Sequence, residues 1–315
     1  MSGQAIICAE KLTRSFDGTV ALHELDLCIE PGEILGLVGP DGAGKTTALR
    51  LMAAVMRPTS GHARVAGFDS VKQAESIRSH VGYMPQRFSL YPDLNVLENL
   101  NFYADIFGVN GGERQARIEQ LLAFANLTQF TSRRAGQLSG GMQKKLALAC
   151  TLIHRPDVLL LDEPTTGVDP VSRREFWDIL TDLHIAGTTI VVSTPYMDEA
   201  ERCNRVGLLF KGVLIECGAP AAIKAKVQGE VIELRPEPMT AQAALAQAAL
   251  ADRPGVLEVQ VYGDLLHLFV DDASRRRPEI EGALEEAGVR VSRLRVIQPR
   301  MEEAFISLIR KRQEA

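Results

Sequence analysis

Residues 34–52 read ILGLVGPDGAGKTTALRLM, an apolar run, a glycine-rich loop and the start of a helical pattern. The loop fits the phosphate-binding pattern G-x-x-x-x-G-K-[ST] and lies where that pattern requires it, between a strand and a helix. Backbone N–H groups and the helix N-terminus would surround the phosphates, with Lys45 on the terminal phosphates and the Thr46 hydroxyl on Mg²⁺. The stretch predicts an α/β fold with a nucleotide site built from Gly39, Pro40, Asp41, Gly42, Ala43, Gly44, Lys45, Thr46 and Thr47.

A second apolar run, Val158–Leu161, ends in two carboxylates, Asp162 and Glu163. Strand ends of this kind carry charge to the edge of a sheet where ligands bind. Asp162 is expected to hold Mg²⁺, and Glu163 to orient or deprotonate the attacking water. Taken alone the pair is a weak signal, because an acidic cap of the next helix explains it equally well.

Continuous apolar strands over Ile34–Val38, Val158–Leu161 and Thr189–Val192 indicate a sheet that is covered on both faces. Between the first two of them, residues 93–148 show an almost unbroken helical pattern. The sequence therefore predicts a nucleotide-binding α/β domain over residues 1–228, with a helical subdomain at about 93–148.

The bulk composition is that of an ordinary globular protein. A net charge of −5 gives no broad basic field, so nucleic acid is not expected as a partner. The N-terminus lacks a secretory signal pattern and no apolar run is long enough for a membrane helix, which predicts a cytoplasmic chain. The five cysteines form no C-x-x-C pair and lie mostly among apolar neighbours, so reduced, buried thiols are expected.

Residues 138–142, LSGGM, place a serine and two glycines directly before a helix expected over Gln143–Ile153, which makes a second anion site. With two phosphate sites in one chain, the sequence resembles the ATP-binding subunits of ABC transporters over roughly residues 4–225. The resemblance implies that ATP is held between two such units. Ser139, Gly140 and Gly141 of one unit would close over the nucleotide on the phosphate loop of the other.

Three further residues match motifs of this family in the family's order. Phe16 matches the aromatic residue that stacks on adenine, and Gln86 matches the glutamine that links Mg²⁺ and water to the membrane partner. Asp169 matches the acidic residue that lies across the dimer. Phe16 as plain core and Gln86 as a solvated loop residue remain the alternatives.

Met142, the phrase LDEPTTGVDPVSRREFW at 161–177 and the ending PRMEEAFISL at 299–308 are similar to ATPase subunits of ABC-2 type multidrug exporters. The implied partners are separate ABC-2 type membrane permease subunits and a second ATPase unit, in a homodimer or heterodimer. The implied location is the cytoplasmic face of the cell membrane. Two alternatives stay open: a nucleotide-gated binding module with little hydrolysis, and a soluble ABC ATPase without a transport role.

Residues 229–315 predict a separate α+β accessory domain, since strands and helices alternate there without a glycine-rich phosphate loop. Gly263-Asp264 fits a two-residue hairpin turn, which would pair Val261 with Leu266, Val259 with Leu268 and Leu257 with Val270. The order β-α-β-β-α-β suggests a ferredoxin-like sandwich. We expect this domain to stabilise the dimer or its contact with the membrane subunits, and a small-ligand sensor is the alternative.

One position departs from the family pattern. Residues 193–196 read STPY, and Pro195 stands where the family has a histidine that contacts the γ-phosphate. Proline has neither a side-chain donor nor an N–H, so it cannot make that hydrogen bond. This predicts slow hydrolysis, unless the proline merely begins the next helix and Glu163 suffices. Asp41, where asparagine is more usual, is a second departure.

An apolar and aromatic run, FSLYP, follows Gln86 at residues 88–92. Exposed apolar groups beside a nucleotide-sensing residue suit a surface that receives a short helix of the membrane subunit. Folding core is the alternative for these residues.

Overall fold

The computed structural model describes residues 5–87, 90–227, 229–251 and 253–314. The chain divides into two compact units, Met1–Pro220 and Ala221–Ala315. This division falls a little before the boundary expected after residue 228, which itself lies outside the described residues. Within the described part, no helix is long and apolar enough to cross a membrane.

The first unit contains ten strands and seven helices among its described residues, with an eighth helix across the unit boundary. The strands are β1 (Ile7–Phe16), β2 (Thr19–Ile29), β3 (Ile34–Val38), β4 (Ser60–Val65), β5 (Phe68–Asp69), β6 (Val81–Met84), β7 (Val158–Asp162), β8 (Thr189–Thr194), β9 (Arg205–Phe210) and β10 (Val213–Gly218). The helices are α1 (Lys45–Met52), α2 (Ala74–His80), α3 (Val96–Ile106), α4 (Gly111–Phe124), α5 (Gly140–Thr151), α6 (Pro170–Ile185), α7 (Met197–Ala200) and α8 (Pro220–Lys224).

Six strands form the central sheet in the order β10-β9-β3-β8-β7-β6, and all neighbours except β10 and β9 run parallel. Strands β3, β7 and β8 are buried along their whole length, which confirms the sheet predicted from their continuous apolar runs. Because β3 and β7 both lie beside β8, the loops that follow these three strands meet at one edge of the sheet. That edge carries the candidate site.

The segment between β6 and β7 is less continuous than the sequence indicates. Helix α3 is followed by Gly108 and helix α4 by Asn126, both with left-handed backbone (φ 67° and 57°). Left-handed residues at these positions terminate helices. Two short 3₁₀ turns, Thr128–Phe130 and Ala135–Gln137, then lead to α5, so the expected unbroken helix is three helices and two turns.

A four-stranded antiparallel sheet, in the order β2-β1-β4-β5, packs its apolar side chains against α1 and the central sheet. In its register Cys8 lies directly opposite Cys28, and the two form a disulfide. The expectation of five reduced thiols is therefore wrong for this pair. Cys150 and Cys203 are free and buried, and burial raises the pKa of the Cys203 thiol to about 12.

The second unit has the predicted element order. It comprises β11 (Glu230–Glu237), α9 (Met239–Leu250), β12 (Val256–Tyr262), β13 (Leu265–Val270), α10 (Ala273–Glu286), β14 (Arg290–Ile297) and α11 (Met301–Glu314). Its sheet runs β12-β13-β11-β14, with α9 and α10 supplying apolar side chains to the core on one face. This arrangement is the ferredoxin-like sandwich expected from the sequence.

The hairpin of this unit follows the predicted register only near its turn. Val261 pairs with Leu266 and Val259 with Leu268 as predicted. An irregularity between Val256 and Glu258 then shifts the chain, so that Val270 lies opposite Val256 instead of Leu257. The third predicted pair is wrong because a bulge adds one residue to β12, and counting outward from the turn cannot detect it.

Candidate functional site

The phosphate loop connects β3 to α1, and its glycines allow the chain to pass close to other backbone. A Cβ on Gly39 would lie 2.1 Å from the carbonyl oxygen of Leu209. Gly44 has a left-handed backbone (φ 103°), and a Cβ there would lie 2.7 Å from the carbonyl oxygen of Ala21. Larger residues at these two positions would push the loop out of its shape. Helix α1 begins directly after Gly44, which gives it no side-chain cap, and its first residues, Lys45, Thr46 and Thr47, line the site. The first N–H groups of a helix have no partner within the helix.

Lys45 is almost fully buried, with 3% of its surface exposed. Its ammonium donates to the carbonyl oxygens of Gly39 (2.8 Å) and Pro40 (3.1 Å), and lies 3.2 Å from Oε1 of Glu163. A buried ammonium needs such acceptors, because desolvation of an unpaired charge costs several kcal/mol. Glu163 therefore supplies the negative charge that balances the buried ammonium of Lys45.

Two of the three residues expected to hold Mg²⁺, Thr46 and Asp162, lie together, and their chemistry fits that ion. Thr46 Oγ1 donates to Oδ1 of Asp162 at 3.0 Å, and Ser193 Oγ donates to the same oxygen at 2.7 Å. Asp162 is fully buried, and its second oxygen, Oδ2, has no hydrogen-bond partner among the described residues. An unpaired buried carboxylate oxygen beside a hydroxyl is the hard-oxygen donor set that Mg²⁺ prefers. Ser193 was not found from the sequence.

Glu163 is held from both its backbone and its side chain. Its backbone adopts a left-handed conformation (φ 47°), and its N–H donates to the carbonyl oxygen (3.1 Å) and Oγ (3.0 Å) of Ser193. Its Oε2 accepts from Nε2 of Gln86 at 2.7 Å and, at 3.4 Å, from the hydroxyl of Thr166. A non-glycine residue with positive φ is maintained only where its surroundings enforce it. The carboxylate is thus fixed toward Lys45 and Gln86.

Lys45, Thr46, Gln86 and Glu163 lie around one open pocket of about 600 Å³. From the sequence prediction, the lining includes Asp41, Gly42, Ala43, Gly44, Lys45, Thr46, Thr47, Gln86 and Glu163. It also includes Pro195 and three residues that the sequence did not indicate, Ala21, Thr166 and Tyr196. The signal that could have found Tyr196 was its position directly after the end of β8, beside the ends of β3 and β7.

Pro195 lies between the end of β8 and the N-cap of α7, which is Tyr196. Helix α7 begins at Met197, so the proline lies two residues before the first helical position. Thr194 before it is fully buried, donates to Oε2 of Glu199 at 2.6 Å and accepts from the N–H of Tyr196 at 3.1 Å. The Thr194 hydroxyl is thus already engaged inside the protein.

The remaining predicted site residues do not line this pocket. Gly39, Pro40 and Asp162 accept hydrogen bonds from Lys45 and Thr46, which do line it. Phe16, Ser139, Gly140, Gly141 and Asp169 lie elsewhere on the unit. Phe16 is 39% exposed at the end of β1, with the guanidinium of Arg14 lying 4.6 Å from its ring centroid. Ser139 caps α5 by accepting from the N–H of Met142 at 3.3 Å, with Gly140 exposed beside it. Gly141 is buried against Ser172.

Asp169 caps α6 from an exposed position. Its carboxylate accepts from the backbone N–H groups of Val171 (3.1 Å) and Ser172 (3.0 Å). Hydrogen bonds from Ser172 are the main reason that the pKa of this carboxyl lies below its usual value. Gly141 of α5 lies against Ser172 of α6. The N-termini of α5 and α6 are therefore next to each other on the surface of the unit.

Lys144 is a further residue at the site that the sequence did not single out. Its ammonium donates to the carbonyl oxygen of Gln86 at 3.2 Å, so α5 is tied to the residue that contacts Glu163. Burial lowers the pKa of Lys144, while the charges of Asp162 and Glu163 act in the opposite direction. A signal was available in the sequence, as this lysine follows the LSGGM motif by two residues.

The run at 88–92 is described only from Leu90 onward, since Phe88 and Ser89 lie outside the described residues. Leu90 is buried, whereas Tyr91 is 47% exposed and packs edge-on against Phe102 of α3 with the ring centroids 4.5 Å apart. Leu97, on the first turn of α3, is also exposed (40%). Tyr91 and Leu97 are therefore exposed apolar side chains a few residues along the chain from Gln86.

Known proteins share both the sequence and this architecture. Residues 22–166 match the family model described as ABC transporter. The Nod factor export ATP-binding protein I of Burkholderia thailandensis is 37% identical over 284 residues, which cover 89% of this chain and 90% of that protein. The chain belongs to the family of ABC transporter ATP-binding proteins. As a member of this family, it binds ATP.

Two further comparisons add to this. The probable multidrug ABC transporter ATP-binding protein YbhF of Escherichia coli (strain K12) is 42% identical over 307 residues; the match covers 97% of this chain but only 52% of that protein, so the chain spans about half its length. The ATP-binding cassette MJ0796, solved as a dimer in a post-hydrolysis state with ADP and Pi, superimposes with a TM-score of 0.63 at 28% identity. That match covers 68% of this ABC chain and 98% of the other, and it confirms the predicted fold class of the cassette.

Proposed function

We propose that this chain is the ATP-hydrolysing subunit of an ABC-2 type exporter, in which closure of an ATPase dimer drives separate membrane permease subunits. The observation that carries the proposal is the convergence of Lys45, Thr46, Glu163 and Gln86 around one pocket at the carboxyl edge of a parallel sheet, with Asp162 bonded to Thr46. The relative named for Nod factor export supports the direction of transport.

In this proposal the phosphate loop, Gly39 to Thr47, binds the triphosphate through backbone N–H groups and the N-terminus of α1. Lys45 leaves Glu163 and donates to the β- and γ-phosphates. Phe16 stacks on adenine with the ring face that Arg14 does not cover. Asp162, Thr46 and Gln86 would hold Mg²⁺, which neutralises charge on the phosphate oxygens when bound.

Glu163 is the proposed general base. Once Lys45 has moved to the phosphates, the Glu163 carboxylate can accept a proton from the attacking water, while Gln86 keeps it oriented through the 2.7 Å hydrogen bond. Gln86 in turn is tied to α5 by Lys144 at 3.2 Å. A displacement of α5 on dimer closure would therefore reach the catalytic carboxylate through two hydrogen bonds.

We propose that a second ATPase unit completes the site, as a homodimer or a heterodimer. Ser139, Gly140 and Gly141 at the N-terminus of α5 and Asp169 at that of α6 lie outside the pocket of their own chain, and the first two are exposed together with Asp169. Helix N-termini with free backbone donors bind anions, so this surface suits the γ-phosphate held by the partner. The dimeric state of the cassette MJ0796 is consistent with this arrangement.

The proposed membrane contact is the apolar surface around Tyr91 and Leu97, which would receive a short helix of the permease at the cytoplasmic face of the cell membrane. The second unit, which lacks a glycine-rich phosphate loop, is proposed to stabilise the assembled dimer or its contact with the membrane subunits. A chain that ends at Pro220 is expected to keep its ATP affinity while assembling more weakly. Reduced ATP affinity in a folded truncation would contradict that role.

The deciding experiment co-expresses the chain with the membrane proteins encoded beside it and purifies the complex in detergent. We expect co-purification with a hydrophobic partner and steady-state release of phosphate from ATP. Co-purification with ribosomes or DNA, without any membrane protein, would instead support a soluble ABC ATPase. ATP binding without measurable turnover, alone and in the complex, would favour the nucleotide-gated binding module.

A further inference from the structure

We propose that Tyr196 supplies, through its phenolic hydroxyl, the hydrogen bond to the γ-phosphate that Pro195 cannot make. This inference rests on the proposed function, because it concerns the same nucleotide pocket. It assigns a catalytic contact to a residue that the sequence pattern does not mark. It also replaces the expectation that the site is handicapped by its proline.

Most hydrogen-bond donors on the loop after β8 are already engaged within the protein. The Ser193 hydroxyl donates to Asp162, and the Thr194 hydroxyl donates to Glu199. The backbone N–H of Tyr196 is engaged with Thr194 Oγ1, and Pro195 has no N–H at all. The only uncommitted donor that this loop brings to the pocket, among the described residues, is therefore the hydroxyl of Tyr196.

Tyr196 belongs to the proposed nucleotide pocket. Tyr196 and Pro195 line the same pocket as Lys45, Gln86 and Glu163, which are the groups that surround the reacting end of the triphosphate. Thr166 also lines this region, but its hydroxyl points its donor at Glu163. Negative charge is concentrated on the phosphate oxygens during phosphoryl transfer, so a donor in this pocket would stabilise it.

The ring of Tyr196 is held by a neighbouring arginine. The guanidinium carbon of Arg173 lies 5.0 Å from the centroid of the Tyr196 ring. Arg173 is itself placed by Glu199 (3.9 Å) and Asp198 (3.7 Å) on the neighbouring helix α7. A cation over an aromatic face restricts the ring without using its hydroxyl. Arg173 is therefore a positioning residue, and the hydroxyl stays available for substrate.

The test compares Tyr196→Phe, which removes one oxygen, with Tyr103→Phe as the matched control on α3. Tyr196→Phe is expected to lower kcat about tenfold, because a hydrogen bond to a charged acceptor is lost. In a Glu163→Gln background, which prevents turnover, the same change should weaken ATP binding while leaving ADP binding unaltered. Tyr103→Phe should change neither quantity.

Pro195→His provides the rescue. In the Tyr196→Phe background the added imidazole should restore most of the lost turnover, and in the wild-type background it should change kcat by less than about twofold, since the contact already exists. A several-fold rise in the wild-type background would instead support a site handicapped by proline and overturn the proposal.

Further results would also overturn it. One is that folded Tyr196→Phe keeps both its kcat and its ratio of ATP to ADP affinity. The other is that it loses ATP and ADP affinity equally, which would show that Tyr196 contributes only by packing. If Tyr196→Phe fails to fold, Tyr196→His, which keeps a ring and a donor, is expected to retain most of the turnover, and its failure to do so while folded contradicts the assignment. A wild-type chain that neither binds nor hydrolyses ATP would refute the proposed function itself, an outcome distinct from all of these.

Discussion

Replacement of Glu163 by glutamine tests the proposed chemistry most directly. The change keeps the size of the side chain and an oxygen that can accept from Gln86, but it removes the charge that pairs with Lys45 at 3.2 Å. An amide cannot accept a proton from water. Loss of a general base lowers rates about 10²- to 10⁴-fold, which corresponds to roughly 2.7 to 5.5 kcal/mol in the activation barrier.

The same geometry predicts an opposite effect on binding. The Lys45 ammonium is held by two carbonyl oxygens and by Glu163, and in the proposed mechanism it leaves the carboxylate to reach phosphate. Without that competition the affinity for ATP should rise by about 1 kcal/mol, roughly fivefold. Tighter binding with blocked hydrolysis should accumulate a closed, ATP-bound dimer.

Three measurements on Glu163→Gln cover these expectations: steady-state phosphate release, equilibrium dialysis with ATP, and the mass of the protein by light scattering with and without ATP. Glu75→Gln, an exposed carboxylate on α2, is the control and should match the wild type in all three. Wild-type turnover in Glu163→Gln would remove the general-base role. Weaker ATP binding would show that the Lys45 to Glu163 contact does not compete with phosphate.

Three other changes give separate checks. Lys45→Ala should weaken ATP binding at least about a hundredfold, as two charge-assisted hydrogen bonds are lost, and the exposed Lys72→Ala should not; equal affinities in dialysis would contradict the assignment. Burial lowers the pKa of His154 to about 4 from 6.5. Between these two pH values the unfolded chain binds a proton at His154 that the folded chain does not bind. The free energy of unfolding should therefore be undiminished above pH 6.5 and fall as the pH drops toward 4. His154→Phe, at a ring stacked 3.8 Å from Phe107, should flatten this part of the pH profile in chemical denaturation, and an unchanged slope would argue against it. Tyr91→Ala should leave ATP affinity and stability intact but reduce recruitment to membranes that contain the permease. Unchanged recruitment would contradict the proposed membrane contact.

The sequence by itself determined the local parts of this protein. The glycines and lysine of the phosphate loop, the continuous apolar strands β3, β7 and β8, and the order of elements in the second unit follow from short-range patterns, and the structure contains them. Such patterns are legible because the shape of a tight loop and the burial of a strand depend on neighbouring residues. The two-residue turn at Gly263 is another case, where a φ of 62° suits glycine.

Only the tertiary structure decided which side chains meet. Ser193 and Asp162 lie opposite each other because β8 is inserted between β3 and β7, an order that no local pattern specifies. The same strand order brings Tyr196 to the pocket that the phosphate loop lines. The disulfide joins Cys8 to Cys28, and a hydrogen bond joins Lys144 to Gln86, in each case across separate elements. The bulge in β12 likewise depends on how that strand pairs with β13. Contacts of this kind depend on how distant segments pack, which is why they had to be seen in the folded chain.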